Sequence, residues 1–168
     1  CDMGQDDTKH NLLFISKYPE IIHEFTDAMK DRDIEIETAI NGIEAAAKIK
    51  KKNYDIVITG LSLEGYNGEQ IITYLNKTAP STVCIIYTTT ISSAQLHFFI
   101  NERNVFRVFL RPVDFRGAFW EALEEAYEYH AVQVKNEEDT GARRQEQEKQ
   151  EREIEIMDQR MRSQRQAR

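Results

Sequence analysis

Five positions carry groups suited to holding an anion. Ser16 and Lys17 follow the apolar run NLLFI, Gly60 follows YDIVIT, Thr88 ends VCIIYT, and Arg111 follows VFRVFL. A hydroxyl donates a hydrogen bond, an ammonium and a guanidinium bring charge, and a glycine opens the backbone N–H to a ligand. The remaining reactive types form no such set. His10, His23 and His97 lack metal-ligand spacing, and Cys1 and Cys84 make neither a disulfide framework nor a zinc pattern. Cys84 sits in an apolar run and is expected to be a buried thiol. No cofactor is implied.

The elements that must position these residues alternate. Asn11–Ser16, Tyr54–Thr59 and Val83–Thr88 are short continuous apolar runs, as buried strands require. Ile34–Ala39 reads IEIETA with period two, a strand with one wetter face. Val105–Leu110 is the last strand, closed by Arg111-Pro112. Helical patterns separate the strands. Pro19 and Glu20 open one through Ile21, Ile22, Phe25 and Met29. Asn41-Gly42 precedes one through Ile43, Ala46, Ala47 and Ile49, which ends in Lys50-Lys51-Lys52. Glu69–Asn76 turns Ile71, Ile72 and Leu75 inward. Ser92–Asn101 is the fourth helix, and Asp114 is expected to cap a fifth that reaches at least Val132. Five strand–helix repeats imply a five-stranded parallel sheet, doubly wound, with helices on both faces. Ligands of such sheets sit at the carboxyl ends of the strands. Those ends are Ser16, Gly60, Thr88 and Arg111.

Composition bounds the rest. The 168 residues are 40% hydrophobic and 30% charged, with a mean hydropathy of −0.60. The charge is uneven: residues 1–132 hold 13 basic and 20 acidic side chains, whereas residues 133–168 hold 9 of each. The expected organisation is a flexible stretch over 1–9, a domain over 10–132 and a charged helical or disordered tail over 133–168. No run approaches a membrane span, so no membrane partner is expected. An acidic domain with no basic stripe is a poor nucleic-acid binder. The expected setting is cytoplasmic.

The blocks LLFISKYPE, NGIEA, YDIVITGLSLEGYNG, IIYTT and FLRPVD recur in the order and spacing of the response regulator receiver domain, which residues 10–132 resemble. The resemblance implies a CheY-like fold and a place in two-component signalling. In that family an acidic pair after the first strand and an aspartate after the third hold Mg²⁺, and the aspartate accepts a phosphoryl group. Here the acidic pair aligns with Ser16 and Lys17, and the acceptor with Gly60. The hydroxyl is kept as Thr88, Arg111 stands for the phosphate-binding lysine, Pro112 stays, and Val108 takes the aromatic switch position. The expectation is a pseudo-receiver that acts by protein contact without phosphorylation and is not an enzyme. Two alternatives stand beside it. Displaced acids such as Glu20 or Glu64 restore phosphoryl uptake, or Lys17, Thr88 and Arg111 form an anion-sensing pocket.

The last helix supplies the expected contact surface. Phe115, Phe119, Ala122 and Ala126 form one stripe for the sheet. Trp120, Leu123, Tyr127, His130 and Val134 form a second with coiled-coil spacing, assigned to a protein partner or a second copy. The seam does not propagate into the tail, where Glu137, Gly141 and Arg144 follow. Thr140-Gly141 is expected to break the helix, Glu148–Arg152 to support the part beyond it, and a C-terminal output domain to follow.

Overall fold

The computed structural model describes residues 10–166. The stretch 1–9, expected to be flexible, lies outside them. Five strands, β1 (His10–Ile15), β2 (Ile34–Ala39), β3 (Ile56–Thr59), β4 (Val83–Thr88) and β5 (Val105–Leu110), alternate with helices α1 (Pro19–Met29), α2 (Gly42–Lys51), α3 (Gly68–Thr78), α4 (Ser93–Ile100) and α5 (Ala118–Gln166). All pairings are parallel, in the order β2-β1-β3-β4-β5. The chain leaves β1 for one side and later returns to its other side at β3. The carboxyl ends of β1 and β3 therefore flank a switch point, the usual ligand crevice of such sheets.

Alternation along the strands divides the core. Leu12, Phe14, Ile56, Ile58, Val83, Ile85 and Tyr87 face α1 and α5, where they meet Phe25, Met29, Phe119 and Leu123. Leu13, Ile15, Val57, Cys84 and Ile86 face the other helices, against Ile49, Ile72, Leu75 and Phe99. The Phe14 and Phe25 rings stack at 4.2 Å, and Phe115 meets both edge-on. Each such ring removes apolar area worth roughly 1.5–3 kcal/mol from water. Cys84 is buried, and burial pushes its thiol above the ordinary range.

The helix starts are chemically specified. Asn41, Asn67 and Ser92 each accept a backbone N–H from the first turn of α2, α3 and α4. For α3 and α4, Gln70 and Gln95 return the bond and complete capping boxes.

Several expectations need correction. In α2 the buried face is Gly42, Ala45 and Ile49, while Ile43 is 62% exposed and sits over Gly65. β3 starts two residues later than read, because Tyr54 and Asp55 make no ladder pairs. Asp114 does not cap α5. Its carboxylate accepts the Arg116 N–H and its carbonyl the Gly117 N–H, so it closes a turn before a helix that begins at Ala118.

The chain divides into two compact units after Ala131. In the second, the described residues are helical through to Gln166, across Thr140-Gly141 where a break was expected. A glycine inside a helix costs only about 1 kcal/mol relative to alanine, too little by itself to stop one. Among the described residues, the ion pair of this segment is Asp158–Arg162 at 2.8 Å rather than Glu148–Arg152. Ile154, Ile156, Met157 and Met161 are exposed.

Candidate functional site

The five anion-suited residues come together. Ser16, Lys17, Gly60, Thr88 and Arg111 line one shallow cleft of about 100 Å³ at the carboxyl end of the sheet, with Tyr18, Leu61, Ser62, Leu63, Tyr87 and Thr89. The ladder itself places them. The Gly60 N–H bonds to the Ile15 carbonyl, the Ser16 N–H to Ala39, and the Arg111 N–H to Thr88. Each bond continues a strand pair one step past its end, so the side chains that follow must open on the same edge.

Among the described residues, the lining of the cleft is cationic and contains no acid. The Lys17 ammonium lies 3.3 Å from the Ser62 hydroxyl and 5.4 Å from the Tyr18 ring centre. The Arg111 guanidinium lies 4.9 Å from the centre of the same ring and 5.9 Å from that of Tyr87. Cation–π contacts of this kind hold a charge in place without neutralising it. Among the described residues, neither Lys17 nor Arg111 pairs with a carboxylate. Glu20 and Glu64 are exposed and do not line the cleft. The Ser16 hydroxyl accepts the Tyr18 N–H at 3.2 Å, and the Thr88 hydroxyl donates to the Thr90 carbonyl at 3.1 Å. Burial raises the Tyr87 phenol above its ordinary value, against the pull of Arg111.

Gly60 has room for a Cβ. A Cβ built there meets only the Tyr87 and Ile15 carbonyl oxygens, at 3.7 and 3.9 Å, ordinary contact distances. Its neighbours are tighter. A Cβ on Gly68 lands 2.3 Å from the Gly60 carbonyl oxygen, and one on Gly42 lands 1.8 Å from that of Tyr66. Close backbone approach therefore demands glycine at 42 and 68, whereas at 60 a Cβ makes only ordinary contacts.

The second stripe of α5 is not the free seam that its spacing suggested. Leu123 is fully buried, Tyr127 is 7% exposed, and both belong to the core against α1 and the sheet. Trp120 packs against that core under the Arg32 guanidinium, which lies 4.2 Å from the ring centre. His130 is half-buried against Asp55 and Ser81. Val134 falls in the second unit. The two stripes merge because adjacent helix positions stand only about 100° apart, and Phe119 and Ala126 of the first share one buried cluster with Leu123 and Tyr127 of the second.

Other apolar side chains of α4, β5 and α5 remain exposed. Leu96 and Ile100 of α4 are 40% and 72% exposed, Leu110 of β5 is 52% exposed, and Tyr129 of α5 is 37% exposed. Sequence reasoning missed Leu96, Ile100 and Leu110. The signal was available: β5 is an edge strand, and its neighbour α4 is apolar nearly all round.

Residues 13–117 match the model of the response regulator receiver domain. The chain belongs to this family. These are the receiver domains of two-component response regulators. Solved receivers share the fold at low identity. The signal receiver domain of an HD domain-containing protein from Pseudomonas fluorescens is 19% identical at a TM-score of 0.70, with 74% of this chain and 98% of that one covered. A CheY-like receiver domain protein from Methanospirillum hungatei is 18% identical at 0.67, with the same coverage. The response regulator TrrA of Thermotoga maritima, solved in complex with Mg²⁺–BeF, is 21% identical at 0.60 over 70% of this chain and 98% of that one. No curated protein matches the sequence.

The Mg²⁺ of the family does not fit the cleft of this chain. Mg²⁺ binds hard, anionic oxygen ligands, and here the lining offers hydroxyls, a glycine and two cations. Among the described residues, no group of three His, Cys, Asp or Glu side chains is placed to hold a metal. Nor is any described helix long and apolar enough to cross a membrane.

Proposed function

We propose that this receiver is a pseudo-receiver, which works by protein contact and takes up no phosphoryl group. One observation supports the reading: Gly60, which the resemblance aligns with the acceptor position, lies in a cleft whose described lining contains no carboxylate. A phosphoryl acceptor needs a nucleophilic oxygen, and transfer from a small donor needs its charge neutralised. Lys17 and Arg111 supply positive charge, but no lining side chain supplies a carboxylate nucleophile.

The contact surface of this reading is the face formed by α4, β5 and the first part of α5. Leu96, Ile100, Leu110 and Tyr129 expose apolar surface there, and the partner is another protein or a second copy of this chain. Trp120, Leu123, Tyr127 and His130 serve the interior instead.

The test is the intact mass of the full chain after incubation with a small acyl phosphate and Mg²⁺. The reading predicts an unchanged mass. A labile adduct of one phosphoryl group would overturn it. The contact surface has its own test, in which Ile100→Asp with Leu110→Asp abolishes association with the partner and leaves the fold intact.

A second reading rests on the two unpaired cations. Lys17 and Arg111 flank one tyrosine ring in an otherwise acidic domain, an arrangement that suits a small oxyanion. Thermal unfolding with millimolar phosphate separates the readings: a stabilisation lost in Lys17→Ala supports an anion sensor.

A further inference from the structure

At the opposite end of the sheet, a group of side chains ties α5 to the strand starts. The Asp55 carboxylate, just before β3, accepts the Asn11 N–H with Oδ2 at 3.3 Å, and the Asn11 side-chain oxygen accepts the Asp55 N–H at 2.6 Å. Tyr127 of α5 donates its hydroxyl to the Asn11 carbonyl at 2.9 Å, and the His10 ring stacks on it at 4.2 Å. His130, one turn further along α5, lies between two oxygens. Its Nδ1 is 2.8 Å from the Ser81 carbonyl, and its Nε2 is 3.1 Å from Asp55 Oδ1.

Those two oxygens restrict the protonation of the ring. A carbonyl oxygen and a carboxylate oxygen only accept hydrogen bonds, so both ring nitrogens must donate. Neutral imidazole has one N–H; imidazolium has two. We propose that His130 is a proton-controlled clasp, charged when it holds α5 to Asp55 and Ser81, and released when it loses its proton. The coupling runs between solution pH and the order of the α5 turn at 127–131.

The surroundings agree. Asp55 is 27% exposed and His130 17% exposed at the side chain, enough burial to strengthen the pairing but not to seal it from solvent protons. Burial alone would raise the Asp55 pKa. The His130 hydrogen bond and charge, the Asn11 N–H and the charge of His10 pull it below the ordinary value of 3.8 instead. Among the described residues, the groups facing the clasp include His10 of β1, with Nδ1 3.8 Å from Asp55 Oδ2, Tyr127 of α5, and the uncharged Ser81 carbonyl before β4. Tyr127 is out of play in this range, since burial pushes its phenol far above its ordinary value.

The sign follows. Loss of the His130 proton turns one N–H into a lone pair facing an acceptor, so the clasp weakens as pH rises through neutrality. At the acid end it weakens only when Asp55 is protonated, below its ordinary range. Tyr127 keeps its bond throughout, so the opening is local.

The experiment is amide hydrogen exchange and histidine ¹⁵N spectroscopy on the full chain. In the wild type at about pH 6, both His130 ring nitrogens should carry protons. Between about pH 6 and 8, exchange at residues 127–131, corrected for base catalysis, should rise at least threefold relative to the β4 amides. His130→Gln keeps one donor and one acceptor and cannot titrate, so its corrected ratio should stay flat. His10→Gln should keep the wild-type rise, which separates the two histidines. A single neutral tautomer at that acid pH, or the same rise in His130→Gln, overturns the proposal.

Discussion

The two ends of the parallel sheet are built on opposite principles. At the carboxyl end, Lys17 and Arg111 line an open cleft, and each is held by aromatic contact or a hydroxyl rather than by a countercharge. At the amino end, Asp55, His130, Asn11 and Tyr127 satisfy one another through hydrogen bonds and charge. The end where such sheets place their ligands presents no acid among the described lining residues, and the opposite end carries a half-buried acid–base pair. Strand-end geometry is thus set by the backbone and not by the side chains it presents. The backbone bonds that aim Ser16, Gly60 and Arg111 do not depend on their side chains.

The largest test of that contrast is Tyr127→Ala. It removes a buried ring and the bond to the Asn11 carbonyl together, so urea unfolding should show a loss of about 3–5 kcal/mol. A loss under about 1 kcal/mol would mean the amino end is not knit as described.

Gly68→Ala probes the frame beneath the cleft. The added methyl meets the Gly60 backbone at 2.3 Å, and stability should fall by about 1–3 kcal/mol. Gly60→Asp is its counterpart. A Cβ at 60 meets its nearest atom at 3.7 Å, so this substitution should change stability by less than about 1 kcal/mol. If the two substitutions cost the same, the cleft is not open at 60.

The acid limb sharpens the amino end. Asp55 has a lowered pKa in the folded chain, so its contribution is fully present above its unfolded value and lost as pH falls through the folded one. Comparing wild type with Asp55→Asn, the stability difference should shrink below about pH 4. A difference that stays constant to lower pH would mean that the Asp55 charge contributes nothing.

Much of this was legible in the sequence, for reasons that particular residues show. β2, β4 and β5 begin and end where their apolar runs do, because Val, Ile and aromatic residues are bounded there by turn chemistry. Ser16, Gly60, Thr88 and Arg111 were found because strand ends must share an edge, and Lys17 came with the family resemblance. Three things were not legible. Spacing of three and four residues describes equally a coiled-coil seam and half of a broad buried face, and only the groove beside α1 shows that Leu123 and Tyr127 are interior. Asp114 has the chemistry of a helix cap and of a turn, and the turn took it. The partnership of Asp55 with His130 joins residues far apart in sequence and leaves no local pattern.

Backbone amide spectra of the full chain during a Mg²⁺ titration test the central claim most directly, namely that the carboxyl end has exchanged metal chemistry for positive charge. The account predicts no saturable shifts at Ser16, Lys17, Gly60 or Thr88 up to millimolar Mg²⁺. Saturable shifts confined to those amides would contradict it, because they would mean that carboxylates outside the cleft reach in to build a metal site.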